Sequence, residues 1–280
     1  MPSPKIVVAT DFSPRADRAI DRALQLCQQH GLGLKAIHAL DHIDADKADW
    51  GYLEERMSRT VGETSCPTEF EFPEGSPPRA IARAAQSDDT YMLLLGPARY
   101  NTLGDFFLGT AVDFILRQTE CPTLVVKHRA RAPYGHIVVG TDFSPASAHA
   151  IIEAARLFPD TRIHVVHAWH VPFAGFQRDE YVRDEVEAGE AKRLDAFMAE
   201  LVQRSPKLGN ATSRLVQGGT HEAFAREISA HGRDPSATLV VLGSHGTSGF
   251  RQATLGSVTS ELLRTLDADV LVINTRNAEG

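Results

Sequence analysis

Residues Ile6-Val-Val-Ala-Thr-Asp-Phe-Ser-Pro14 return, nearly letter for letter, as Ile137-Val-Val-Gly-Thr-Asp-Phe-Ser-Pro145. Each copy is a short unbroken apolar run that ends in an acid. An unbroken run of this length fits a strand covered on both faces of a parallel sheet. Ser13-Pro14 and Ser144-Pro145 then offer an N-cap and a proline at the first helical position. Further pairs follow in the same order. Ile37-His-Ala39 returns as Val166-His-Ala168, Leu93-Leu-Leu-Gly96 as Val240-Val-Leu-Gly243, and Leu108-Gly-Thr110 as Leu255-Gly-Ser257. Pro122-Thr-Leu-Val-Val126 returns as Asp269-Val-Leu-Val-Ile273. An internal repeat on this scale means one structural unit used twice.

Within each copy the pattern alternates strand and helix. The first helix carries Ile20, Leu24 and Cys27 on one side and stops before Gly31. Strand two is expected over Lys35–Ala39 and Arg162–Ala168, and helix two over Leu53–Val61 and Glu187–Leu201. Gly75 and Gly218 mark turns before a third helix that holds Ile81 or Phe224. Strand four should end at Gly96 and Gly243, and strand five closes each copy. Alternation of this kind implies an α/β fold with parallel strands and helices on both faces. The expected units are 1–130 and 134–280, joined by the basic Ala/Pro/Arg stretch His128–Tyr134. The second copy carries extra residues between strand two and the glycine loop, placed at His170–Ala191.

Composition narrows the function classes. A net charge of −7 and a pI near 5.9 argue against nonspecific nucleic-acid binding, which needs a basic footprint. Cys27, Cys66 and Cys121 are widely spaced and odd in number, so reduced thiols in the cytoplasm are expected. Neither a signal-peptide core nor a membrane-span-length apolar run appears.

The chemistry concentrates at Gly243-Ser-His-Gly-Thr-Ser-Gly-Phe-Arg-Gln-Ala-Thr-Leu-Gly-Ser257, between a strand and a helix whose apolar positions are Val258, Leu262 and Leu266. Gly243, Gly246 and Gly249 let backbone N–H groups approach a ligand, and the helix start adds unpaired donors and a partial positive charge. Together these outline a phosphate site. Arg251 is its one cation, and the missing Gly-Lys-[Ser/Thr] excludes a Walker loop. In an open α/β sheet the ligand lies beyond the carboxyl ends of the strands, where strand order reverses. Asp142 at the end of strand one would then face this loop. A carboxylate accepts hydrogen bonds, so it suits ribose or base donors, and Asp142 equally suits a turn cap.

With these residues in view, the chain resembles a tandem universal stress protein. The family's nucleotide signature is Gly, two residues, Gly, nine residues, Gly-[Ser/Thr]. Gly243, Gly246 and Gly256-Ser257 match it in full, beside the opening Val139-Gly-Thr-Asp-Phe-Ser144. The resemblance covers essentially the whole chain. It implies two open five-stranded parallel sheets in the order 3-2-1-4-5, paired through their strand-five edges as a built-in pseudo-dimer. It implies adenine nucleotide as ligand, as ATP with or without Mg²⁺, held by Gly140, Thr141, Asp142, Ala168, Leu242, Gly243, Ser244, Gly246, Gly256, Ser257, Val258 and Thr259. It leaves a further homodimer open, and Ser257 is a weak candidate for phosphorylation.

The first copy departs from the signature: Arg99 replaces the second glycine, and Asp105, Phe106 and Phe107 intrude. Its counterpart positions, Thr10, Asp11, Ala39, Gly96, Arg99, Gly109 and Thr110, are expected to form at most a weak second site. His164, His167 and His170 invite a metal, but residues three apart on a strand face opposite sides, so no metal site is expected. His245 fits a phosphate contact and a solvent-facing side chain equally. Asp179–Glu190 reads as a solvated helix face, with a lid as the alternative. The function expected is a cytoplasmic ATP-binding regulator of stress adaptation. A slow ATPase or phosphotransferase ranks lower, because no lysine, base dyad or second acid cluster stands near the loop. A nucleotide-free protein that binds an apolar ligand or partner is the third reading.

Overall fold

Strand and helix alternate along the whole chain. The structure, a computed structural model, describes residues 3–41, 45–97, 110–170, 180–231, 234–244 and 255–274. The first half comprises β1 (Lys5–Ala9), α1 (Ala16–His30), β2 (Gly33–Ile37), α2 (Trp50–Val61), β3 (Thr68–Glu71), α3 (Pro77–Ala84), β4 (Thr90–Leu95), α4 (Thr110–Gln118) and β5 (Thr123–Val125). The second comprises β6 (His136–Gly140), α5 (Pro145–Leu157), β7 (Arg162–Trp169), α6 (Glu180–Arg204), β8 (Thr212–Gln217), α7 (Thr220–His231), β9 (Thr238–Gly243), α8 (Ser257–Thr265) and β10 (Asp269–Ile273).

Each half has the strand order 3-2-1-4-5, but the two separate sheets expected from sequence are one. β5 and β10 pair antiparallel, Leu124 opposite Leu271, giving a ten-stranded sheet ordered β3-β2-β1-β4-β5-β10-β9-β6-β7-β8. The reason is the exposed edge: an unpaired strand five would leave a row of N–H and C=O groups open, and each copy supplies the other's missing neighbour. The apolar cores follow the faces of this sheet, not the halves. Ile6, Val8, Leu124, Ile137, Val139 and Leu271 share one layer, and Val7, Val125, Val138, Val240 and Val270 share the other.

The seam also holds a polar network that hydrophobic patterning did not reveal. Arg22 and Asp269 are both fully buried and lie 3.5 Å apart. Asp269 accepts from the backbone N–H groups of Lys127 (2.7 Å) and His128 (3.0 Å) and from the Tyr134 hydroxyl (2.6 Å). Arg22 donates to the carbonyls of Ser236 (2.8 Å) and Ala132 (3.0 Å) and lies over the Tyr134 ring. The basic join at 128–134 is therefore packed against both halves. Burial of this charged cluster is tolerable only because it is paired and hydrogen-bonded.

Several boundaries differ from expectation. β2 starts earlier and ends at Ile37, and α2 begins at Trp50, where Asp49 accepts from the Tyr52 N–H. The extra residues of the second half include α6, at 25 residues about twice the length of the 12-residue α2. Its described stretch from 183 to 190 is largely exposed, as a solvated face would be. Cys27, Cys66 and Cys121 are free thiols, and burial pushes Cys27 up to about 12 and Cys121 up to about 11. No helix among the described residues is long and apolar enough to cross a membrane.

Candidate functional site

β6 lies between β9 and β7, so the chain switches sides of the sheet at the carboxyl ends of β6 and β9. A cavity of about 260 Å³ opens there. Thr141 and Asp142 from the end of β6, Ala168 from β7, Leu242 and Gly243 from β9, and Gly256 to Thr259 from the start of α8 all line it. Gly140, also expected at the site, lines it too. Two helices start at its rim, α7 at Thr220 and α8 after Gly256, so unpaired N–H groups face it from two directions.

The local chemistry builds these positions. Thr141 is buried, and its N–H donates to the Val166 carbonyl (2.9 Å), tying the end of β6 to β7. The chain then turns sharply through Phe143, at φ 62°. That left-handed conformation costs a bulky residue on the order of 1–3 kcal/mol. It is held by the Phe143 N–H donating to Thr141 Oγ1 (3.0 Å) and by a ring contact with His167 at 4.2 Å. A carbonyl only accepts, so His167 donates through Nδ1–H to the Thr141 carbonyl (2.8 Å). Asp142 is exposed at the mouth, and its Oδ1 accepts from the Ser144 N–H (3.0 Å) and hydroxyl. It thus forms the turn and still lines the cavity. Ser144 caps α5 by accepting from the Ser147 N–H, with Pro145 at the first helical position.

On the far side, the Ser244 N–H donates to the Ile273 carbonyl (2.8 Å), and the Gly256 N–H donates to the Ser244 carbonyl (2.9 Å). The base of the glycine loop is pinned by these bonds. Thr259 lines the cavity, but its hydroxyl donates to the Gly243 carbonyl (2.8 Å). Ser244 is buried and is not among the described residues that line the cavity. Val258, an apolar helix position also expected at the site, is 47% exposed and sits at the rim. Gly246, Gly249, His245 and Arg251 lie outside the described residues.

The Universal stress protein family model matches the chain twice, at residues 3–127 and 133–274. The chain belongs to the universal stress protein family. A universal stress protein of Mycobacterium tuberculosis is 30% identical over 200 residues, covering 66% of this chain and 62% of that protein's length. One from Mycolicibacterium smegmatis is 25% identical over 97% of both chains. Among solved structures, one described as a putative universal stress protein from Pseudomonas aeruginosa aligns with a TM-score of 0.70 at 18% identity, covering 97% of this chain and 93% of that one. Another from Archaeoglobus fulgidus aligns at 0.69 and 16% identity over 98% and 99%. At these identities the structures show the fold alone.

The first Usp half repeats the architecture with different contents. Its cavity is smaller, about 190 Å³, and Thr10, Asp11, Ala39 and Gly96 line it as expected. Phe12 at φ 57° stacks on His38 at 4.2 Å, copying the Phe143 turn. The helix cap is copied with a longer bond: the Ala16 N–H donates to Ser13 Oγ at 3.3 Å, where the Ser147 N–H donates to Ser144 Oγ at 3.1 Å. Regular α1 nevertheless begins at Ala16, whereas α5 begins at Pro145. Ser147 of the second half bonds both Thr141 and Ser144, and its counterpart is Ala16, which has no hydroxyl to tie the turn. Arg15 and Ala16 lie close to Gly96: a Cβ on Gly96 would meet the Arg15 carbonyl oxygen at 3.1 Å. Thr110 starts α4, while Arg99 and Gly109 lie outside the described residues.

Sequence reasoning missed Ser147, Val166, His167, Thr220, Phe224 and Leu262 as cavity residues. One signal existed: Phe224 matches Ile81 in its distance from a glycine turn. Gly140 matches Ala9, and a Cβ on Gly140 would meet Phe224 Cζ at 2.7 Å. The pairs Ala9/Ile81 and Gly140/Phe224 therefore exchange volume between strand and helix. His164 and His167 do face opposite sides of β7, but no motif announced that His164 meets His136 and His231.

Proposed function

We propose that this universal stress protein binds an adenine nucleotide, ATP in the leading case, in the crevice of its second half, and that occupancy is the signal it transmits in stress adaptation. The observation that carries the reading is the convergence on one cavity of Asp142, Ala168, Gly243 and the α8 start at Gly256-Ser257. The residues suit the ligand. An exposed carboxylate at one end accepts from ribose hydroxyls, and helix N-terminal N–H groups at the other favour phosphate oxygens. The cavity lies near the lower end of small-molecule clefts, about 300–1,000 Å³, so it suits a nucleoside whose phosphates extend toward the loop. Mg²⁺ would enter with the phosphates, and Ser257 is exposed at the helix start.

Binding without efficient turnover fits the lining. Asp142 is its carboxylate and already serves the turn, and no lysine or arginine lines the described cavity. Calorimetric titration with ATP tests the proposal on the natural chain, Gly246→Arg and Arg99→Gly. One ATP per chain is expected, with binding abolished by Gly246→Arg. Unchanged affinity in that variant overturns the assignment.

A further inference from the structure

At the opposite end of the second half, three imidazoles from three elements meet. His136 is the first residue of β6, His164 lies on β7, and His231 is the last residue of α7. Each offers a nitrogen, and the three ligand atoms lie within 4.8 Å of one another. His136 Nδ1 is 3.1 Å from His164 Nε2. Ligands at the usual zinc–nitrogen distance of about 2.0–2.1 Å sit roughly 3.3 Å apart in a tetrahedron, so this pair already spans one edge.

The surroundings resemble those of a metal-held histidine. His164 Nδ1 is 2.7 Å from Thr212 Oγ1, which orients the ring and leaves Nε2 toward His136. His231 Nε2 is 3.3 Å from Glu227 Oε2, a carboxylate only 3% exposed. Outer partners of this kind fix ring orientation and raise ligand basicity. Glu227 is also paired with Arg214 at 2.9 Å, which holds its carboxylate in place beside His231. The rings of His164 and His231 stack at 3.6 Å, so an entering ion requires His231 to turn out of the stack.

We propose that His136, His164 and His231 form a binding site for a divalent transition-metal ion of the zinc type. His136 ligates through Nδ1, His164 through Nε2 and His231 through Nδ1, with water in the fourth position and Glu227 as the outer partner of His231. Three imidazoles are a borderline-soft donor set, which favours zinc and its neighbours over Mg²⁺ or Ca²⁺. The site ties β6, β7 and α7 together and is separate from the crevice.

The test uses the tag-free full chain, stripped with chelator and without nucleotide. ZnCl₂ is titrated calorimetrically into the natural chain, His164→Gln, His231→Gln and a control, His170→Gln. One ion per chain is expected, weakened at least about tenfold in either cluster variant and unchanged in the control. Far-ultraviolet circular dichroism checks that the variants fold. Co²⁺ supplies an independent readout, since four-coordinate ligation by imidazoles gives intense visible bands that the variants should lose. Zinc uptake equal in the natural chain and both cluster variants, or no uptake by the natural chain, overturns the proposal.

Discussion

The two halves share strand order, the left-handed phenylalanine turn and its histidine partner, yet their crevices differ by a few substitutions. Ala9 and Ile81 face one crevice, and Gly140 and Phe224 the other. Ala16 replaces Ser147, so the turn before α1 lacks the hydroxyl that bonds Thr141 and Ser144 in the second half. Pro77, which has no N–H to offer, begins α3 where Thr220 begins α7. Duplication therefore preserved the scaffold while the contents diverged. The scaffold rests on apolar strands that tolerate little change, whereas a crevice rests on single side chains and donors.

The largest effect is expected at the seam, where the halves depend on each other. Asp269 has no equivalent in the first copy, whose corresponding residue is Pro122. Asp269→Ala strips the buried Arg22 of its carboxylate and should cost about 3–5 kcal/mol in urea unfolding. The double variant Asp269→Leu with Arg22→Met should recover much of that, because it removes both charges. A loss below about 1 kcal/mol in the single variant would show that the halves do not rely on this network.

The crevice contrast is sharpened by converting one half toward the other. Gly140→Ala drives a methyl into Phe224 and should destabilise by about 1–3 kcal/mol. It should also weaken ATP binding as the ring is displaced into the cavity. Adding Phe224→Ile recreates the volume of the first half and should restore stability. Failure of that rescue would break the volume-exchange account.

The smallest effect separates the two serines. Ser144→Ala removes an N-cap bond of 3.1 Å and should cost about 1 kcal/mol, and Ser13→Ala removes its longer 3.3 Å counterpart and should cost somewhat less. Thermal unfolding of both variants decides the matter, and no loss in Ser13→Ala would mean that its bond to the Ala16 N–H contributes nothing.

Much of this was legible in the chain itself. Unbroken apolar runs, glycine turns and a near-exact recurrence determined the α/β class and the duplication, because burial on two sheet faces imposes its own pattern, while the strand order came with the family resemblance. The glycine spacing likewise marked Asp142, Gly243, Gly256 and Ser257, which the fold brings to one cavity. The resemblance anticipated pairing of the two strand-five edges, but only the fold shows that β5 and β10 join antiparallel into one ten-stranded sheet, since edge pairing depends on which partner is within reach. Nor could local pattern show that Arg22 reaches Asp269 across the seam or that histidines at 136, 164 and 231 converge. These contacts join residues far apart in sequence, and only the packing of strands against helices decides which of them meet.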